Sequence, residues 1–167
     1  MTSDILKNEI QEFINANIHS DVAKLAFKKN PFPEIDFTVI LHQITARSKA
    51  ENKLPTWFQT ENIIYPSKIS VEQTSSEKTA LYKSEIISGE SLIDLTGGFG
   101  VDDFYFSKKF KSVVHCEMNY ELSDIVNHNF QQLKAENIKC FAGDSLEVLK
   151  NLKRKFEIAE SIPNKLT

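Results

Sequence analysis

The fold is decided by residues 91–103, which have the sequence SLIDLTGGFGVDD. An apolar run leads to Asp94, three glycines follow within four residues, and two more acids close the stretch. The apolar run is typical of a strand, and the glycines are typical of a tight turn, because glycine adopts backbone conformations that other residues avoid. Such a turn lets the backbone come close to a ligand, so the stretch raises the question of which small molecule it holds.

Three short apolar runs follow one another from residue 91 onward. They are SLIDL (91–95), SVVHCE (112–117) and IKCFA (138–142). Runs of this form are expected of strands that are buried on both faces of a parallel sheet. Since helical patterns fill the gaps between them, we predict an α/β sheet with right-handed crossovers.

The helical patterns of this part are amphipathic. The clearest covers residues 119–137, and the residues on its apolar face are Leu122, Ile125, Val126, Phe130 and Leu133. A shorter helix is predicted behind Ser145. We place His128 and Asn129 on the polar face of the long helix. His115 has no partner that would make it a nucleophile or a metal ligand, so we predict a packed or hydrogen-bonded histidine in the second strand.

Residues 1–74 have helical spacing instead, and we predict a helical N-terminal domain there. Apolar residues recur behind Ser3, Ser20 and Asp36, each of which is a candidate N-cap. The segment KNPFPEID separates the second and third helices, because proline disfavours helix at its own position and at the preceding one.

Composition excludes several classes of protein. The 167 residues include 20 Lys and Arg and 23 Asp and Glu, and the formal net charge of -3 argues against a protein that coats nucleic acid through bulk charge. No stretch resembles a secretion signal, and none approaches the ~20 apolar residues of a membrane span, so we expect a cytoplasmic protein with no membrane partner. Cys116 and Cys140 lack the spacing of a metal or redox site, and we predict that both are reduced and buried.

Two phosphate-binding motifs do not match the glycine turn. A P-loop needs Gly-Lys-Ser/Thr, but Gly100 is followed by Val101. A dinucleotide fingerprint needs a third glycine where Asp103 stands. The carboxylates of Asp102 and Asp103 would also oppose a diphosphate at the start of the helix. A nucleotide-dependent oxidoreductase half-domain is therefore a disfavoured alternative.

A ligand with positive charge and no phosphate fits the turn better. S-adenosylmethionine (SAM) carries a sulfonium and an ammonium group, which the charge of Asp94 favours. The sequence DLTGGFG resembles the first motif of the class I, Rossmann-like SAM-dependent methyltransferases at Asp94, Gly98 and Gly100. Thr96 stands in place of the first glycine of that motif. The resemblance implies that these four residues lie around the cofactor.

Two more motifs of this family follow in order. Glu117, at the end of the second strand, resembles the acid that accepts both ribose hydroxyls. Gly143 and Asp144, after the third strand, resemble the motif whose aspartate meets the adenine amino group. The resemblance implies that SAM or its product is the ligand, and it predicts a partial methyltransferase domain over residues 75–167. A non-catalytic module that binds SAM or another adenosine ligand is the alternative.

The segment before the first strand carries a narrower resemblance. TSSEKTALYK is similar to the pre-motif segment of trimethylguanosine-synthase-like RNA methyltransferases, and with QITARSKAENKLPTW it resembles the front end of bacterial methyltransferases that have a THUMP-like domain. The resemblance implies that Ser76 and Thr79 contact the cofactor. The same region also suits a helix start, since Thr74 and Glu77 have the spacing of a capping box. Both interpretations stay open.

RNA is the methyl acceptor that this resemblance implies. Arg47, Lys49 and Lys53 are candidates for contacts with an RNA backbone, and a solvated helix surface is the alternative. Trp57 is predicted to be a core residue rather than a platform for base stacking.

The end of the chain departs from the family pattern. A fourth strand is predicted at FEIAESIP (156–163), where Pro163 takes the place of a family proline and Ile162 that of an acid. We therefore expect a chain that is truncated before the catalytic motif, has no catalytic residue of its own and is inactive alone. Its sheet would hold about three strand-helix units. The open edge of such a sheet would favour a homodimer.

Overall fold

The computed structural model describes residues 2–66 and 71–153 of the chain. The fourth strand predicted at residues 156–163 lies outside the described residues. Within them the fold is α/β, with helices that lead into a three-stranded parallel sheet and helices that connect its strands. This confirms the predicted fold class, a helical front part followed by an incomplete Rossmann-like sheet.

The N-caps of the front helices follow the prediction only in part. The helices before the 3-10 turn at Val71–Gln73 are α1 (Thr2–Ile5), α2 (Asn8–Ala16), α3 (Val22–Ala26), α4 (Phe37–Lys53) and α5 (Pro55–Gln59). Asp36 caps α4 as predicted, because its carboxylate accepts the N–H of Thr38 at 2.9 Å. The prediction of Ser20 as a cap is wrong: α3 starts one residue later, and the carboxylate of Asp21 accepts the N–H of Lys24.

The helix predicted behind Ser3 is in fact two helices. Ser3 lies inside α1, so it is not the N-cap, and the side chain of Lys7, which precedes α2, makes no capping hydrogen bond. The apolar faces of the front helices pack together nevertheless. Ile64 of the extended segment and Ile125 from residues 120–132 complete their buried cluster, whose other members are Ile5, Ile10, Ile14, Leu25, Ile40 and Ile44.

The sheet is parallel throughout the described residues, and its strands lie in the order β1 (Gly89–Asp94), β2 (Phe110–Glu117) and β3 (Ile138–Ala142). The central strand β2 buries Val113 and Cys116 completely. The first strand departs from the prediction of burial on both faces. Residues 89–91 are exposed and residues 92–94 are half-buried, since β2 is the one strand that pairs with β1 among the described residues.

The helices around the sheet are α6 (Glu77–Glu85), α7 (Val101–Phe106), α8 (Tyr120–Gln132) and α9 (Ser145–Lys153). The apolar face predicted for α8 is confirmed, because Leu122, Ile125, Val126 and Phe130 are all buried. Leu133 caps the end of α8 and packs against the same core.

Two amide side chains hold the extended segment between the helices and the sheet. Asn129 of α8 accepts the N–H of Ile64 at 2.9 Å and donates to its carbonyl at 2.8 Å. Gln43 of α4 makes the same pair of bonds with Tyr65, at 2.9 and 2.6 Å. The prediction that Asn129 lies on a polar face is therefore wrong, because its side chain is buried against backbone. His128 is half-buried, and its Nε2 lies 2.8 Å from the carbonyl of Asn62.

The main core joins the front helices to the sheet. Trp57 is fully buried, as predicted, and its ring meets Phe104 edge-on with centroids 5.1 Å apart. The other residues of this core include Ala46, Ala50, Leu54, Phe99, Val113, Val126 and Phe130. The division of the chain into independent domains at residues 74 and 75 stays a prediction.

The start of α6 differs from the predicted capping box. Ser76 is the N-cap, and its hydroxyl accepts the N–H of Thr79 at 3.1 Å. The hydroxyl of Thr74 instead donates to the carbonyl of Val71 at 2.9 Å. Glu77 is not free to complete a capping box, because its carboxylate is used elsewhere.

The buried carboxylate of Glu77 joins three helices. It accepts the N–H and the hydroxyl of Thr56 in α5, at 2.6 and 2.8 Å, and the hydroxyl of Tyr105 in α7 at 2.6 Å. Loss of this carboxylate would leave buried hydrogen-bond donors without a partner, which is costly. Glu77 therefore fixes α6 against its neighbours in front of the sheet.

Candidate functional site

The turn after β1 is shaped by one carboxylate oxygen and by glycine. Asp94 Oδ1 accepts the backbone N–H of Thr96 at 2.7 Å and its hydroxyl at 3.2 Å. Gly98 and Gly100 have φ angles of 55° and 77°, which other residues rarely adopt. The N–H of Gly100 donates to the carbonyl of Gly97 at 2.9 Å, and α7 begins directly afterwards. The quoted stretch therefore folds as a strand, a tight turn and a helix.

Two of the glycines are required because side chains press against them. A Cβ on Gly97 would lie 2.1 Å from Nδ1 of His115, and a Cβ on Gly100 would lie 2.5 Å from Cζ of Phe130. Gly97 is not among the residues predicted from the sequence. Its one signal is that it is a glycine at a position that the family motif leaves open.

Two hydrogen bonds bring the ends of the three strands together. The N–H of Gly97 donates to the carbonyl of Cys116, and the N–H of Gly143 donates to the carbonyl of Glu117, both at 2.9 Å. Because the strands are parallel, their carboxyl ends lie at one edge of the sheet, where ligands bind in open α/β sheets. The residues predicted from the three motifs therefore lie along this edge, which we call the carboxyl edge.

The three acids of the carboxyl edge share one arrangement. Oε1 of Glu117 accepts the N–H of Asn119 at 2.7 Å, and Oδ1 of Asp144 accepts the N–H of Leu146 at 2.8 Å, as Oδ1 of Asp94 does for its own turn. Each acid thus uses one oxygen to shape a turn. Within the described residues the second oxygen of each makes no hydrogen bond, so it is available to a ligand.

Exposed apolar side chains flank two of these acids. Met118 and Tyr120 follow Glu117 and are 70% and 68% exposed, and Leu146 follows Asp144 and is 59% exposed. An apolar residue close behind a strand-end acid is a sequence signal from which these side chains could have been predicted.

A cavity of about 350 Å³ lies beside the glycine turn. Residues 96–102 form one wall and residues 73–75, before α6, form the other. The volume is that of a small-molecule site, for which roughly 300–1,000 Å³ is usual. Thr96, Gly98 and Gly100 all line it, and their contact with a cofactor stays a prediction.

Ser76 and Thr79 do not line this cavity. Their hydroxyls lie 2.9 Å apart at the start of α6, and Ser76 accepts the N–H of Thr79. This geometry is that of the capping interpretation. The contact of either residue with a cofactor stays a prediction.

The carboxylates of Asp102 and Asp103 were expected to repel a diphosphate, and the structure corrects this expectation. Oδ2 of Asp102 lies 2.8 Å from the ammonium group of Lys83 and accepts the hydroxyl of Ser75 at 2.9 Å. Asp103 is fully buried, and its Oδ2 lies 2.6 Å from Nδ1 of His115. Both carboxylates therefore have partners within the protein and do not face a ligand as bare charges. The argument against a dinucleotide rests on the missing third glycine, and that against a P-loop on the missing lysine.

The pair of Asp103 and His115 lies directly beneath the glycine turn. Burial raises the pKa of Asp103 to about 6, against the hydrogen bond and charge of His115, which lower it. The imidazole also meets the ring of Phe130 edge-on, with centroids 5.7 Å apart. His115 is thus packed and hydrogen-bonded, as predicted.

Neither cysteine forms a disulfide, as predicted. Cys116 is buried, but Cys140 is only half-buried, which corrects the prediction for the third strand. Burial raises the pKa of Cys116 to about 11 and that of Cys140 to about 12, so both thiols are protonated and unreactive at neutral pH. Across residues 2–66 and 71–153 no group of His, Cys, Asp and Glu could hold a metal ion.

The three cations considered for RNA have partners inside the chain. Arg47 donates to the carbonyl of Phe58 at 3.0 Å and lies over its ring. Lys49 pairs with the carboxylate of Glu72 at 3.2 Å, and Lys53 donates to the carbonyl of Glu72 at 2.5 Å. These contacts are compatible with a solvated helix surface, and contact with RNA stays a prediction. The described helices include none long and apolar enough to cross a membrane.

Several solved structures resemble the chain. No family model matches it, and no curated protein matches it. The chain is similar to the crystal structure of a "putative methyltransferase" from Porphyromonas gingivalis W83. The two share 28% identity with a TM-score of 0.76, and the match covers 92% of the present chain. The chain spans 38% of the length of that structure.

Two further solved structures resemble the chain less closely. They are WT Trm5b from Pyrococcus abyssi, with 23% identity over 44% of this chain and 23% of that one, and a methyltransferase from Geobacter sulfurreducens, with 13% identity over 78% of this chain and 62% of that one. Both have a TM-score of 0.41, so the conclusion on the fold rests on the Porphyromonas structure. The described fold is consistent with an incomplete Rossmann-like methyltransferase fold.

Proposed function

We propose that the chain binds SAM along the carboxyl edge and acts as part of a SAM-dependent methyltransferase. The observation that supports this most is the common arrangement of Asp94, Glu117 and Asp144. Each acid ends or follows one of three neighbouring strands. Among the described residues each uses one carboxylate oxygen for its own turn, and the other oxygen is left for a ligand. The similarity to the Porphyromonas structure points in the same direction.

The residues of the carboxyl edge fit the parts of SAM in chemical terms. The second oxygen of Glu117 suits a pair of ribose hydroxyls, because a carboxylate accepts several hydrogen bonds. Met118 and Leu146 offer exposed apolar surface for adenine, next to the carboxylate of Asp144 for its amino group. The cavity at the glycine turn is left for the methionine part. Its lining combines polar groups with Phe99 and Val101, and its one carboxylate among the described residues, that of Asp102, is paired with Lys83.

The work of the chain in this proposal is to bind and orient. SAM supplies an electrophilic methyl group on a positively charged sulfur. Asp94 fixes the turn through Thr96 and adds negative charge near that sulfur. Gly98 and Gly100 let the backbone approach the cofactor closely, since neither carries a side chain and both have positive φ.

RNA is the class of methyl acceptor that we propose, because residues 74–83 resemble a segment of RNA methyltransferases. A fluorescein-labelled RNA oligonucleotide titrated with the chain should show an anisotropy rise that weakens as salt is raised, since phosphate contacts release counterions. A DNA oligonucleotide of the same sequence is the control. The absence of any RNA binding at low salt would count against RNA as the acceptor and leave the SAM site untouched.

The SAM site itself is tested by titration calorimetry with S-adenosylhomocysteine, the demethylated product of SAM. Glu117→Gln keeps the oxygen that holds Asn119 but loses the charge, so we expect about a tenfold loss of affinity, the size of one charged hydrogen bond. Glu90→Gln, on an exposed side chain near the start of β1, is the matched control and should change nothing. Equal affinities of the wild type and Glu117→Gln would remove Glu117 from the site.

A further inference from the structure

One wall of the cavity is a short segment, residues 73–75, between the 3-10 turn and α6. The opposite wall is the glycine turn, residues 96–102. The two walls are far apart in the sequence, so the width of the cavity depends on side chains that connect them.

Three side chains form such a connection, and we call them the rim cluster: Ser75, Lys83 and Asp102. The ammonium group of Lys83 lies 2.8 Å from Oδ2 of Asp102 and 3.1 Å from the hydroxyl of Ser75. The hydroxyl of Ser75 donates to the same oxygen of Asp102 at 2.9 Å. Each member therefore contacts both of the others, and the cluster is closed.

The rim cluster joins the two walls directly. Ser75 belongs to the first wall and Asp102 to the second, while Lys83 reaches both from two turns along α6. The side chains of Lys83 and Asp102 are 42% and 26% exposed, so the ion pair is partly shielded from water. A charge-assisted pair in such a position is stronger than a free surface pair.

The composition of the cavity wall indicates what the cluster positions. Gln73 brings an amide to the cavity, and Thr74 brings a hydroxyl that donates to the carbonyl of Val71 and can still accept a hydrogen bond. The hydroxyl of Ser75 is used within the rim cluster, whose charges balance each other. Neutral hydrogen-bonding groups of both kinds suit a zwitterion, which carries one ammonium and one carboxylate group.

We propose that Lys83 and Asp102 are positioning residues for the amino-acid end of the ligand. Together with Ser75 they fix the distance between residues 73–75 and the glycine turn. At this distance Gln73 and Thr74 bind the amino-acid end of the ligand. The ligand class is an adenosine whose 5′ sulfur carries an amino acid. The inference rests on the proposed SAM site and adds the part of the chain that distinguishes such a ligand from a bare nucleoside.

The experiment compares two ligands that differ only in this end. S-adenosylhomocysteine has the amino acid, and 5′-methylthioadenosine keeps the nucleoside and the sulfur but lacks it. Calorimetric affinities are measured for the wild type, Lys83→Met and Asp102→Asn. Lys111→Met is the matched control, because Lys111 pairs with Glu90 at 2.7 Å where both side chains are 78% exposed. Thermal unfolding of every variant shows which of them keep the fold.

We expect Lys83→Met and Asp102→Asn to lose about five- to tenfold in affinity for S-adenosylhomocysteine, the size of one charged contact, and to keep the affinity for 5′-methylthioadenosine. The double variant Lys83→Asp with Asp102→Lys should recover part of the loss. Unchanged affinity for S-adenosylhomocysteine, or an equal loss for both ligands, would overturn the inference while leaving the SAM site in place. A wild type that binds neither ligand would overturn the proposed function as well.

Discussion

Gly97 lies directly against the imidazole ring of His115, so closely that a methyl group on Gly97 would come within 2.1 Å of Nδ1. The ring is itself fixed, because Nδ1 is bonded to Asp103 and neither side chain has any exposed surface. The glycine turn thus rests on a buried pair of polar residues. The shape of the glycine turn depends on this contact as well as on the turn's own hydrogen bonds.

Replacement of Gly97 by alanine should therefore be far more damaging than replacement of Gly98. We expect Gly97→Ala to lower the free energy of unfolding by about 3 kcal/mol, because the ring has no room to move. Gly98→Ala should cost roughly 1 kcal/mol, since its φ of 55° is unfavourable but the nearest atom to a new Cβ is 3.8 Å away. Urea denaturation measures both, and similar losses would show that the contact with His115 does not limit the turn.

The pair of Asp103 and His115 should give stability a pH dependence. The pKa of Asp103 is raised to about 6 in the folded chain by burial, with Asp94 and Asp102 adding to the rise and His115 opposing it. The folded state therefore keeps a proton that the unfolded state loses near pH 4, so this contribution to stability is full below pH 4 and is lost as the pH rises through about 6.

Asp103→Asn removes that titration. The free energy of unfolding of the wild type, minus that of Asp103→Asn, should fall between pH 4 and pH 6.5 and stay level above it. Urea denaturation at four or five pH values gives this difference. A difference that is constant across the range, or that rises with pH, would mean that the folded protein does not hold the proton on Asp103.

The amide of Asn129 should contribute much more to the free energy of unfolding than the neighbouring imidazole of His128. Asn129→Ala leaves the N–H and carbonyl of Ile64 buried without partners, so we expect a loss of roughly 2–4 kcal/mol in unfolding free energy. His128→Ala removes one hydrogen bond to Asn62 at a half-buried position and should cost about 1 kcal/mol. Equal costs would show that segment 63–65 is not held by the amide.

The edge of β1 should lead the chain to self-associate. Among the described residues β1 has one neighbouring strand, and Ile86 and Ile87, just before it, are 66% and 39% exposed. Unpaired strand edges beside apolar side chains recruit other strands, here those of a second copy. Sedimentation velocity should show an association that grows with concentration and that Ile86→Lys with Ile87→Lys weakens. Phe27→Lys, on the front helices, is the control, and a monomer at all concentrations would contradict this prediction.

Local patterns were sufficient for the elements that carry their own signal. The third strand begins and ends at the predicted residues, and the apolar face of α8 is buried as its spacing indicates. The N-cap Asp36 was also predictable, because a cap acts on residues that follow it directly. The glycine turn and the strand-end acids Asp94, Glu117 and Asp144 could be recognised for the same reason, since each motif is continuous in the sequence.

Contacts between distant residues could not be predicted in this way. The partner of Asn129 is 65 residues away, and its burial is visible only when α8 meets segment 63–65. Glu77 has the spacing of a capping box, but its carboxylate is captured by Thr56 and Tyr105 once three helices pack together. The charge of Asp102 and Asp103 was misjudged because their partners lie on other elements.

The central claim is that the carboxyl edge binds SAM through its strand-end acids, and Asp94 tests it most directly. Asp94→Asn keeps an oxygen for the N–H of Thr96, so the turn should persist while the charge that favours the sulfonium and ammonium groups is lost. Titration calorimetry with SAM should show binding by the wild type, a loss of tenfold or more in Asp94→Asn with unchanged thermal unfolding, and no comparable binding of NAD. Equal affinity of the two proteins for SAM, or tighter binding of NAD than of SAM, would contradict the account.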